Sequence, residues 1–240
     1  MAEALPRWGL KDISFLTTDA TALEAEIITA FEKASGRTLA AGDPVRLFLL
    51  SLTAIIVTQR SAIDAAAKQN LLSYAQGSYL DALGLLLNVE RLAESKAVTT
   101  MRFTLSRALG EVVTIPSGTE VTNGTVTFAT TQDLDIPVGS LTGDVQAECT
   151  SSGPAGNDFL ARQINVIVKP QTFVASAENV TITSGGASAE SDLDYANRIR
   201  LAPNSFSVAG PEKAYIFHAK SVSSAIIDVC IDSPTPGQVD

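Results

Sequence analysis

The stretch Gly77-Ser78-Tyr79-Leu80-Asp81-Ala82-Leu83-Gly84, followed by Val89-Glu90-Arg91, divides the chain. Upstream of it, from Pro44 onward, no glycine or proline interrupts a helical pattern. Downstream of Arg91 come short runs rich in Val, Thr, Ile and Phe, separated by turn residues. Ser78 and Asp81 read as the cap and first-turn acid of a short helix, Tyr79–Leu87. The fold class is α+β. A helical region, 1–92, carries a long helix. An antiparallel β-rich region, 93–186, forms a sandwich or partial barrel. A helix-helix-strand region, 187–240, reads as the start of a further domain.

Working upstream, Leu23, Ile27, Phe31 and Ala34 recur at spacings of three and four and predict a helix over Ala20–Ser35. Thr21 and Glu24 stand as in a capping box, and Gly36 is placed to end the helix. Asp43-Pro44 is an N-cap followed by proline at the first helical position. A helix running unbroken from Pro44 to Ala75 would be about 48 Å long.

The first half of that helix is apolar almost all round: Val45, Leu47, Phe48, Leu49, Leu50, Leu52, Ile55, Ile56 and Val57. Each large aliphatic left in water forgoes about 1.5–3 kcal/mol. Such a helix needs neighbours on several sides, and only Ala20–Ser35 precedes it. Either a second chain or the β region of the same chain covers it, and the residues alone leave both open. Val45, Phe48, Leu49, Leu52, Ile55 and Ile56 are the candidate partner-facing positions. The run Val45–Val57 is broken by Arg46, Ser51 and Thr53 and is shorter than the ~20 apolar residues of a membrane span, so a soluble chain is expected.

Working downstream, strands are predicted at Thr99–Leu105, Val112–Ile115, Glu120–Val121, Val126–Thr130, Leu134–Val138, Asp144–Cys149, Val166–Val168 and Val180–Thr183. Asn123-Gly124 is a hairpin signal, and Pro116-Ser117-Gly118 a tight turn. Helix returns at Glu190–Leu201, with acids at its start and Arg198 and Arg200 at its end. A last helix follows Gly210-Pro211 to about Val222. Ala225–Ile231 reads as a strand, and Gly237–Asp240 as a turn into another, as if the fold continued past Asp240.

Reactive machinery is sparse. Seventeen basic against 26 acidic side chains leave a net charge of −9, which disfavours phosphate backbones as general partners. The two cysteines, Cys149 and Cys230, read as reduced, buried thiols. His218 is the sole histidine, mid-helix, and no nucleophile elbow accompanies it. No Cys-x-x-Cys, His-x-x-x-His or phosphate-loop spacing occurs. Glu190, Asp192 and Asp194 lack calcium-loop spacing and read as a solvated helix start. No catalytic residue, cofactor or metal is expected.

An ordered set of motifs adds a resemblance. It runs through Asp12-Ile13-Ser14-Phe15, Gly36-Arg37-Thr38-Leu39, Asp43-Pro44, and Leu71 through Asp81 with Gly77 and Leu80. Gly84, Val89 and Arg91 follow, then Val113-Thr114-Ile115-Pro116-Ser117-Gly118-Thr119 and Phe128-Ala129-Thr130. Gly153-Pro154-Ala155-Gly156-Asn157, Gly185-Gly186, Glu190-Ser191-Asp192, Arg198, Gly210-Pro211 and Tyr215 complete it. Each piece is unspecific; the order is not. The chain resembles the J-like baseplate proteins of contractile-tailed phages and related injection machines. The resemblance implies a structural wedge component of the tail baseplate in the virion, assembled in the bacterial cytoplasm. It implies a second wedge protein, further copies of this chain, and hub, spike and sheath-side components as partners, with helices of three chains bundled together. It implies scaffold roles for Gly77, Leu80, Asp81, Arg91, Pro116, Gly118, Gly156, Asn157, Glu190, Asp192, Arg198, Gly210, Pro211 and Tyr215.

Two other readings compete. A carbohydrate-binding β module of a tail fibre would present clustered aromatics, whereas the one tryptophan, Trp8, lies far from the β region. An enzyme would have to work through His218 or through carboxylates brought together by the fold.

Overall fold

The computed structural model describes residues 6–206 and 211–232. The chain forms two compact units, Met1–Asn88 and Val89–Asp240.

In the first unit, α1 (Ala20–Ser35) is capped by Asp19, whose carboxylate accepts from the amides of Thr21 and Ala22 at 2.9 and 3.2 Å. That carboxylate replaces the expected Thr21–Glu24 box. Gly36 closes the helix at φ 67°. Helix α2 (Pro44–Lys68) starts at Asp43, which accepts from the Val45 amide at 2.8 Å. It stops seven residues short of Ala75, at about 38 Å. Asn70 causes the stop: its side-chain amide donates to the carbonyls of Ala66 and Ala67 at 3.2 and 3.3 Å. The chain then turns, with both Tyr74 and Ala75 amides donating to the Leu71 carbonyl. Helix α3 (Gly77–Leu85) begins at Gly77, whose φ of 51° glycine adopts freely, and not at a Ser78 cap. Leu80 is its fully buried anchor.

The second unit is built on β1 (Lys96–Leu105), β2 (Val113–Ile115), β3 (Glu120–Thr122), β4 (Thr127–Thr130), β5 (Leu134–Ile136), β6 (Thr142–Ser152), β7 (Val166–Ile167) and β8 (Val174–Asn179). Six strands form an antiparallel sheet in the order β7-β3-β4-β6-β1-β8, and β2 and β5 form a second, two-stranded sheet. The six-stranded sheet curls until its ends meet. Residues just before β7 stitch onto β8 and the residues after it. Ile164 and Arg162 exchange backbone bonds with Asn179, and Phe159 and Asp158 bond Thr183. The wholly buried Asn179 side chain completes the seam, accepting from the Ile164 amide and donating to the carbonyls of Leu160 and Thr181, all at 2.9 Å. Met101, Phe103, Ile115, Val121, Phe128, Ile136 and Ile164 fill the interior.

Helices α4 (Asp192–Leu201) and α5 (Glu212–Lys220) follow. Four expectations need correction. The strand foreseen at Val180–Thr183 lies earlier, at β8, where pairing with β1 makes a strand of Val-Ala-Ser-Ala-Glu-Asn despite its poor β propensity. Ala225–Ile231 forms no ladder. Glu190 precedes α4, which Ser191 caps by accepting from the Asp194 amide. Cys149 is buried but Cys230 is exposed. Gly210 and Gly237–Asp240 lie outside the described residues.

Candidate assembly interface

Helix α2 has three buried residues, Thr53, Asp64 and Lys68, and none of them is apolar. Leu47, Phe48, Ile55 and Ile63 are more than half exposed, and Leu52 is 36% exposed. At 100° per residue, Phe48, Leu52, Ile55 and Ile63 fall within about 80° of one another. Val45, Leu49 and Ile56, all half-buried, border this stripe. Thr53, Asp64 and Lys68 lie on the opposite side. The six residues singled out from sequence therefore divide into an open centre (Phe48, Leu52, Ile55) and a flank (Val45, Leu49, Ile56). An exposed apolar stripe of this length is the kind of surface that a protein partner or a membrane covers. By length and composition alone the whole of α2 would also pass for a membrane span, although the apolar run Val45–Val57 is shorter than one. Arg60, bonded to the Thr17 carbonyl at 3.4 Å, and the buried Asp64 would both have to enter hydrocarbon.

The second feature unites four of the motif residues. Glu190 and Arg198 form an ion pair whose side chains are 4 and 5% exposed, with Arg198 Nε 2.8 Å and Nη2 2.6 Å from the two carboxylate oxygens. A buried pair is tolerated only with its remaining valences filled. Here the connector 89–92 fills them. Arg198 also donates to the Glu90 carbonyl, and the Leu92 amide donates to Glu190 Oε2 at 3.0 Å. Arg91 donates to the Glu190 carbonyl at 3.0 Å and lies 2.7 Å from Asp192. Tyr195 donates to the Val89 carbonyl at 2.7 Å, and both arginines stack on its ring, at 4.6 and 5.5 Å. Glu190 is thus an internal tie and not the solvated helix start expected of it.

A third constellation explains two glycines. Asn157 donates to the Gly186 carbonyl at 2.7 Å and accepts from its amide at 2.9 Å. A Cβ on Gly186 would lie 2.4 Å from the Gly153 carbonyl, and one on Gly156 would lie 2.9 Å from Ala97 Cβ. Gly118, at φ 78°, completes the turn after Pro116, whose carbonyl accepts from the hydroxyls of Thr119 and Thr130. Pro211 caps α5, and Tyr215 on that helix is 40% exposed. Asp81 lies in α3 and is half-buried.

Among the described residues no three His, Cys, Asp or Glu side chains gather as a metal site. His218 is exposed on α5. A cavity of about 80 Å³ lies beside Glu190, Asp194, Arg198 and Lys220, well below the ~300 Å³ of small-molecule pockets. Its charged groups already hold one another or the backbone: Asp194 bonds Ser191 at 2.5 Å, and Lys220 bonds the Ile227 carbonyl at 2.9 Å. Sequence reasoning missed Tyr195, Asn179 and Thr183. Tyr195 stands three residues before Arg198 on one helix face, which was a usable signal; Asn179 and Thr183 offered none.

Comparison with known proteins agrees with this frame. The Baseplate J-like N-terminal domain matches residues 43–97, and the Baseplate J-like protein barrel domain matches residues 100–186. Baseplate protein J of Escherichia phage P2 is 36% identical over 85 residues, which is 35% of this chain and 28% of that protein. The chain therefore spans under a third of that curated relative. A chain of the anti-feeding prophage baseplate, from a sixfold-symmetrised cryo-EM structure, is 14% identical with a TM-score of 0.39, over 82% of this chain and 56% of that one. That likeness is too distant to carry an argument. The two matched domains adjoin in the family's order and together cover more than half of the residues, so the chain belongs to the baseplate J-like family.

Proposed function

We propose that this chain is a structural wedge component of a contractile-tail baseplate, located in the virion or injection particle, and that it acts by binding other proteins and not by catalysis. In this reading the open face of α2 packs in a bundle with a helix of a second wedge protein and a helix of a further copy, beside hub, spike and sheath-side components.

The observation that carries the reading is the exposed stripe on α2. Phe48, Leu52 and Ile55 recur at spacings of four and three, and Gln59, Ala62 and Ala66 continue the series. This is the spacing a coiled-coil seam uses, with one polar position to set register and small residues that let a partner approach closely.

The test is co-expression with the other baseplate proteins of the same source, followed by light scattering on the purified complex. The wild-type chain should enter a hetero-oligomer. A Phe48→Glu, Ile55→Glu variant should keep its circular dichroism spectrum and fail to assemble. A chain that stays monomeric beside its candidate partners, or that instead inserts into lipid vesicles, would overturn the reading.

A further inference from the structure

Residues 7–17 precede α1 and run antiparallel to the C-terminal half of α2. The Thr17 carbonyl meets Arg60, and the Phe15 amide donates to Asp64 Oδ1 at 2.6 Å. Lys68 Nζ lies 3.0 Å from Asp64 and 3.5 Å from Asp12. The Tyr74 hydroxyl donates to Asp12 at 2.7 Å and accepts from the Ile13 amide at 2.8 Å. Farther out, the Arg7 guanidinium donates to the carbonyls of Leu72 and Ala75, both at 2.7 Å.

Three of the large apolar side chains of this segment are left open. Leu10, Ile13 and Phe15 are 54, 46 and 49% exposed, whereas Asp64, Lys68 and Tyr74 beneath it are 8, 6 and 2% exposed. Polar groups make the attachment, and two of them are carboxylates.

We propose that residues 12–17 are a strap held over α2 by a carboxylate latch, and that acid releases the strap while the β domain stays folded. The titratable and charged groups facing the latch are Asp12 from the strap, Arg60, Asp64 and Lys68 from α2, and Tyr74 from the turn. The Tyr74 hydroxyl, and Lys68 beside it, hold Asp12 below the usual carboxylate range. The Phe15 amide, with Lys68, does the same for Asp64. A depressed carboxylate contributes attachment above its ordinary titration range and loses it as pH falls through the lowered value. The Asp64 carboxylate raises Lys68, and burial raises Tyr74. Their contributions are complete below their ordinary values and fade as pH rises through the raised ones. The latch is therefore strongest between the two ranges and weakens at both extremes. Release uncovers Asp64 and Lys68 and lengthens the accessible helix toward its C-terminal end.

Amide hydrogen exchange on the full-length chain tests this, with rates corrected for intrinsic pH dependence and β1 as internal reference. The Ile13 and Phe15 amides should be protected at neutral pH and should lose protection as pH falls below about 4, before the β1 amides do. Asp64→Asn should speed Phe15 exchange about tenfold or more at neutral pH with β1 unchanged, the effect of one charge-assisted hydrogen bond. Tyr74→Phe should do the same at Ile13, a second reading should either variant fold poorly. Unprotected strap amides at neutral pH in the wild type, or strap and β1 opening together in acid, would overturn the proposal.

Discussion

Of the 25 residues in α2, three are buried, and all three are polar or charged. Of the ten in β1, five are buried, in strict alternation: Ala97, Thr99, Met101, Phe103 and Leu105. Both segments are strongly apolar. In β1 the apolar side chains meet a closed interior. In α2 they face outward, and the covered side of the helix is the polar one. Hydrophobicity in a sequence thus reports how much surface wants cover, and not whether the same chain provides it. The barrel fills its own interior, whereas α2 leaves its apolar face uncovered within its own unit.

The sharpest way to break this contrast lies in the barrel. Phe103→Ala should cost about 3–5 kcal/mol in chemical denaturation, because the close-packed interior cannot collapse onto the void. A cost under about 1 kcal/mol would mean that the interior is loose and the contrast false.

Arg198→Met comes next, at about 3 kcal/mol, because it strands the buried Glu190 carboxylate. The double change Glu190→Leu, Arg198→Met should recover most of that loss by removing the orphan charge. A single variant as stable as the double would show that the pair is not buried in solution.

The smallest effect belongs to α2. Phe48→Ser should shift the stability of the isolated chain by no more than about 0.5 kcal/mol, as an exposed substitution does. A cost near that of Phe103→Ala would mean that Phe48 is sheltered within its own molecule, and the contrast would fail.

What was legible in the sequence follows the range of the forces involved. Asp43-Pro44 marked the start of α2 correctly because the cap and the fixed φ of proline act within three residues. Its end was misjudged because the Asn70 side chain competes for carbonyls in a way that composition does not reveal. Strands with β-branched alternation, such as β1, were readable; β8 was not, since β1 makes it a strand. Glu190 looked like a surface acid because Arg198, eight residues later, reaches back only once α4 has formed. The face of α2 was visible as an excess of apolar residues, but its division into open centre and flank needed the covered side to be known.

The seam at Asn179 has a bearing on crowding. An unclosed sheet ends in a strand whose amides and carbonyls invite a neighbouring copy to continue the ladder. Here the Asn179 end of β8 is bonded by the chain's own residues 162 and 164 and fastened by one amide side chain. A neighbouring copy would find no backbone groups to pair with at that end of the strand, and would have to meet it there through side chains.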